Sequence, residues 1–89
     1  MFVELVNVYF TLNSKIKTKD ITVTTGTTQY DGYYYGAEAH AITGTIISAY
    51  VTGTGDNHAA FIGYVNNTAV RVNSPVANLD VAVRVTYMS

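Results

Sequence analysis

Leu79-Asp80-Val81-Ala82-Val83-Arg84-Val85-Thr86-Tyr87-Met88-Ser89 is the stretch that decides how this chain folds. Leu79, Val81, Val83, Val85 and Tyr87 share one parity, and Asp80, Ala82, Arg84, Thr86 and Met88 share the other. Successive side chains of an extended chain point to opposite faces, so this alternation specifies a β-strand with one buried and one mostly hydrated face. A segment so patterned is tied into a sheet and is not a loose tail. Its second face is only mildly polar, because Ala82, Thr86 and Met88 lie there beside Asp80 and Arg84.

Upstream, Ala69-Val70-Arg71-Val72-Asn73 alternates in the same way, with Arg71 off the valine face, and Ser74-Pro75 closes it because proline cannot donate to a ladder. Arg71 and Arg84 lie off the valine faces, toward solvent or a neighbouring subunit, and a carboxylate partner, Asp80 for example, would make a rim ion pair worth little by itself. Asn66-Asn67-Thr68 forms a tight connection; it matches the N-glycosylation pattern, but without a secretory signal it reads as a turn. Residues 59–65 are apolar on both parities, which suits a strand buried on two faces or lying between subunits. Gly53-Thr54-Gly55-Asp56-Asn57 is a glycine-rich turn after residues 41–52, the longest strand candidate in the middle of the chain. Residues 26–41 have no clean period and read as a long loop or broken strands, whereas Ile21-Thr22-Val23-Thr24-Thr25 is a short strand ending at Gly26. Alternating Lys15, Lys17 and Lys19 suggest a solvated edge. Residues 2–12 fit a helical stripe through Phe2, Leu5, Val6, Tyr9 and Leu12, but their valines and missing cap favour a strand.

Thirteen Thr, twelve Val and eight Tyr outweigh the strong helix formers, so the fold class expected is all-β. Six or seven short strands with turn signals between them indicate a small antiparallel β-sandwich, Greek-key or jelly-roll-like, as a single domain over residues 1–89. A chain of this size buries roughly 9,000 of about 14,000 Å² of unfolded surface, near the lower limit for folding without staples. No Cys is present to staple it, and the apolar 48% of residues exceeds what one small core readily uses, so the surplus is read as interface.

Five Lys and Arg against six Asp and Glu leave a net charge of -1, which offers no basic field for nucleic acid. No apolar run is long enough to span a membrane, so neither membrane insertion nor a signal peptide is expected. Without Cys, with two His and with few carboxylates, no nucleophile–base–orienter set or phosphate loop can be assembled, so neither an enzyme nor a cofactor is expected.

The strongest candidate ligand-binding segment is Tyr30-Asp31-Gly32-Tyr33-Tyr34-Tyr35-Gly36. Tyrosine presents a flat apolar face to a sugar ring and a hydroxyl to its polar edge, at small rotamer cost. In an extended segment Tyr33 and Tyr35 share a face and Tyr34 opposes them; core or subunit-interface packing is the competing use of these rings. A second candidate is Asp56, Asn57 and His58, whose acceptors and donors suit sugar hydroxyls, although any turn demands such residues. Glu38 and His40, two apart, would lie on one side of a strand, but a carboxylate and an imidazole fall short of a metal-ligand set, and no metal is expected.

From Ile46 onward the order is a hydrophobic strand, a Gly/Asn turn, Ile62-Gly63-Tyr64-Val65, a short turn, Val70-Arg71-Val72-Asn73-Ser74 and the closing Val81-Ala82-Val83-Arg84-Val85-Thr86-Tyr87. This order resembles the C-terminal head or tip domains of bacteriophage tail-fibre and receptor-binding proteins. The likeness covers residues 46–87 and consists of strand-and-turn grammar. It implies a homotrimer of β-sandwich heads at the far end of a virion fibre, attaching without catalysis to a bacterial cell-surface saccharide or protein. Two other readings share the chemistry: a structural virion module for fibre assembly and trimerisation, and a monomeric carbohydrate-binding module.

Overall fold

A computed structural model describes residues 15–89, so the strand expected over residues 2–12 lies outside the described residues. Seven strands occur among the described residues: β1 Ile16–Thr24, β2 Gln29–Tyr30, β3 Tyr33–Ala39, β4 Thr45–Gly53, β5 Phe61–Val65, β6 Ala69–Ser74 and β7 Asp80–Met88. They form two antiparallel sheets, a three-stranded one in the order β1-β7-β4 and a four-stranded one in the order β2-β3-β6-β5. The sheets pack face to face, giving the small all-β sandwich that the alternation of apolar residues predicts.

The core is built mainly from valine. Val81, Val83 and Val85 of β7 meet Val23 of β1 and Val70 and Val72 of β6, with Leu79 at one end. Ile21, Ile46, Ala49, Val51, Ile62 and Val65 pack around them. β7 is the middle strand of its sheet, paired along its length with β1 and over most of it with β4, so the closing strand is the spine of that layer. Among the described residues the lysine-bearing β1 is an edge, as its charges predict.

Two buried hydroxyls close the chain crossings. Thr25 Oγ1 donates to the Val76 carbonyl (2.8 Å) and accepts from the Leu79 amide (2.9 Å), tying the end of β1 to the β6–β7 connection. Ser74 Oγ donates to the Ala59 carbonyl (2.7 Å) and accepts from the Val76 amide (3.1 Å). Each satisfies backbone groups that would otherwise be buried unpaired. Gly36 permits the close approach of the layers here, because a Cβ on it would stand 2.0 Å from the Thr24 carbonyl oxygen.

Residues 26–41 take the second of the two forms expected for them, broken strands: Asp31 (φ 57°) and Gly32 (φ 87°) form a two-residue hairpin turn that pairs β2 with β3. Three expectations need correction. The middle strand begins at Thr45, not at residue 41, because Ala41 (φ 53°) turns the chain out of the extended region. Among the described residues β5 is an edge strand, so residues 59–65 are not buried on two faces there; Phe61 and Tyr64 are exposed. Asp80 is not an arginine partner: it accepts from Thr24 Oγ1 (2.7 Å), and Arg84 binds Asp20.

Candidate functional site

The outward face of the four-stranded sheet is where aromatic residues collect. Residues paired across an antiparallel ladder share a face. Tyr30 pairs with Tyr33, Asn73 lies between Tyr35 and Phe61, and Arg71 lies between Ala37 and Tyr64. The inward face of the same strands carries Val70, Val72 and Ile62. Tyr33 and Tyr35 therefore share the outer face and Tyr34, paired with Ser74, points the other way, as extended geometry requires.

A β-bulge completes the surface. Ile62 pairs with Val72 and Tyr64 pairs with Arg71, leaving Gly63 as the extra residue between them. In unbroken alternation Tyr64 would oppose Phe61; the inserted residue brings both rings to one side. Gly63 also keeps the space open, since a Cβ there would meet Asn73 Oδ1 at 3.0 Å and Arg71 Cγ at 3.3 Å.

The result is a hollow of about 360 Å³ lined by Tyr30, Asp31, Tyr33, Phe61, Gly63, Tyr64, Arg71 and Asn73. Tyr33 and Phe61 stand edge to face, centroids 5.1 Å apart at 90°. The aromatic side chains remain substantially open to solvent, from 39% for Tyr33 to 65% for Tyr30. The Arg71 guanidinium stacks over the Tyr35 ring, 4.1 Å from its centroid, and lies 5.4 Å from that of Tyr30. Stacking of this kind holds the planar fork in orientation. Two polar atoms on this face, Arg71 Nε and Asn73 Oδ1, are buried without a hydrogen-bond partner among the described residues.

Of the residues singled out from sequence, the structure brings Tyr30, Asp31 and Tyr33 into the hollow and sets Tyr35 beneath its arginine. Asp56, Asn57 and His58 are not there; they belong to the β4–β5 loop, which closes on itself through Thr54 Oγ1, donor to the His58 carbonyl (3.1 Å) and acceptor from its amide (3.0 Å). Asp56 instead borders a larger hollow of about 550 Å³, with Thr22, Thr52, Asp80 and Ala82 among its walls and no aromatic ring. That hollow is roomier, but nothing in its lining stacks on a ring, and its Asp80 is already bonded to Thr24.

Glu38 and His40 part company. Glu38 is exposed, whereas His40 follows the end of β3 and is buried. His40 Nε2 lies 2.9 Å from the Asn66 carbonyl oxygen and Nδ1 accepts the Ile42 amide (3.1 Å), which assigns the ring proton to Nε2. Lys19 Nζ of the other sheet donates to the His40 carbonyl (2.8 Å), so this histidine clamps a corner. Among the described residues no group of three His, Asp or Glu side chains is arranged to hold a metal.

Sequence reasoning missed Phe61, Gly63, Tyr64, Arg71 and Asn73 as parts of the site. Arg71 and Asn73 carried a signal, because both are polar on the outward parity of a valine strand. Phe61 and Tyr64 carried none, since their common face depends on the bulge. No protein-family model, curated protein or solved structure matches the chain.

Proposed function

We propose that this protein is a non-catalytic recognition head that binds surface saccharides on the aromatic face of its four-stranded sheet, as the distal tip of a phage tail fibre does on its bacterial host. The observation carrying this reading is the open hollow in which Tyr30, Tyr33, Phe61 and Tyr64 surround Arg71 and Asn73. Aromatic rings supply apolar faces for sugar rings, and a few fixed polar groups supply orientation. A shallow site of this kind binds weakly, and repetition on a trimeric fibre and a virion would multiply its avidity.

The test is host-cell and wall-polysaccharide binding by a multivalent form of the domain, compared with the Tyr30→Ser/Tyr33→Ser variant. Lost binding with an unchanged oligomer supports recognition; absence of binding by the multivalent parent overturns it. A second reading, a fibre-assembly module, is favoured by the exposure of Ile16, Ile47 and Tyr50 on the three-stranded sheet. It predicts that serine substitutions at Ile16, Ile47 and Tyr50 dissociate the oligomer, as light scattering would reveal, and leave glycan binding by the dissociated chain at the single-site level.

A further inference from the structure

We infer that the saccharide taken by the aromatic face is acidic, carrying a carboxylate that docks on Arg71. This deepens the recognition reading and rests on it.

The protein contains its own template for the contact. On the three-stranded sheet, Arg84 grips Asp20 with the side of its fork, Nε to Oδ1 at 2.7 Å and Nη2 to Oδ2 at 3.2 Å. Arg71 occupies the corresponding outward position on an inner strand of the other sheet, but its cross-strand neighbours are Ala37 and Tyr64. Among the described residues no carboxylate pairs with it. Its Nε is buried and has no partner among the described residues, a costly arrangement for a charged donor unless a ligand supplies the acceptor. Stacking on Tyr35 fixes the guanidinium plane, so a planar carboxylate can be met with two parallel hydrogen bonds.

Asn73 sharpens the ligand further. Its Oδ1, two residues along the same strand face as Arg71, is a buried acceptor without a donor among the described residues. A ligand that satisfies both atoms carries an anionic acceptor and a nearby hydroxyl donor, and an apolar ring face between the aromatic walls. A uronic acid has all three: a ring carboxylate, a hydroxyl on the neighbouring ring carbon and a C–H face. The Asp31 carboxylate on the same lining disfavours a second negative charge. A singly charged acidic sugar thus fits better than a polyanion.

The test titrates the full chain with uronic-acid-containing oligosaccharides from bacterial capsules, each beside its carboxyl-reduced form, and with a glycerol-phosphate polymer. Reduction should weaken binding roughly ten- to hundred-fold, the effect of losing a charge-assisted bidentate contact. Added salt should narrow the difference. Arg71→Gln should abolish the acid preference, and Arg71→Lys, which keeps the charge but loses the fork, should fall between. The reduced-glycan comparison uses the parent protein, so it stands even where a variant folds poorly. Equal affinity for acid and reduced forms, with binding still lost in Tyr30→Ser/Tyr33→Ser, overturns the acidic assignment and leaves saccharide recognition intact. Tighter binding of the phosphate polymer overturns the carboxylate in favour of a phosphate. Binding of neither acidic nor neutral glycans overturns both readings.

Discussion

Arg84 and Arg71 hold matching places on opposite faces of the sandwich and meet different neighbours. Arg84, on the middle strand of the three-stranded sheet, has Asp20 across one ladder and Tyr50 across the other. Arg71 has Ala37 and Tyr64 in those positions. On the first face charge is balanced within the chain, and Thr24 with Asp80 adds a second internal polar contact. On the second face rings surround a cation and an amide whose buried atoms have no partner among the described residues. A β-sandwich needs only its inner faces to fold; the difference between its outer faces is therefore informative about what each meets.

The largest effect is expected where the two layers touch. Gly36→Ala places a methyl group against the Thr24 carbonyl, an obstruction by backbone that cannot rotate away. A loss of about 3 kcal/mol in chemical denaturation is expected, at the upper end for overpacking. Both sheets should melt in one transition by tyrosine fluorescence and circular dichroism; separate transitions would mean that the two faces do not share one core.

Giving Arg71 what Arg84 already has tests the contrast directly. Ala37 is exposed and paired with Arg71, so Ala37→Asp sets a carboxylate across the ladder from it. Affinity for acidic glycans should drop roughly ten-fold while fold stability holds; unchanged affinity would show that Arg71 is not the anion contact.

Gly63→Ala has a smaller reach. Its methyl group presses on Asn73 and Arg71, so glycan affinity should fall several-fold. Stability should stay within about 1 kcal/mol, because alanine's advantage over glycine in a strand offsets the tight contact. Calorimetric titration and thermal melting separate the two effects.

Asp20→Asn should change least. The Arg84 hydrogen bond holds the Asp20 carboxyl below its ordinary value of 3.8, so the pair stabilises the fold fully above that value and the contribution fades as pH falls through the depressed one. Replacing Asp20 should flatten the acid limb of a stability–pH curve and leave neutral pH nearly unchanged, as expected for an exposed ion pair. It should confer no glycan binding on Arg84, which has no ring stacked on its guanidinium among the described residues; acquired binding would show that a bare arginine suffices.

Much of the scaffold was legible because strand alternation is a local signal. The β7 valines, the Asn66 turn, the stop at Pro75 and the lysine edge all follow from residue type and parity. The Asp31-Gly32 turn was equally legible by its residue types, but the tyrosines on either side obscured the hairpin. The aromatic site was half legible. Tyr30, Asp31 and Tyr33 are close in sequence, whereas Phe61, Tyr64, Arg71 and Asn73 join them only through strand order and register. Those are long-range properties, and composition does not encode them.

By itself, the sequence determined an all-β sandwich with a valine core, one strongly alternating closing strand and tyrosines in excess of what that core requires. Tertiary structure alone decided which arginine is paired with a carboxylate and which stands among aromatic rings. The reason is geometric: pairing brings Asp20 to Arg84 and Ala37 to Arg71, and one inserted glycine at position 63 turns Tyr64 toward the same side as Phe61.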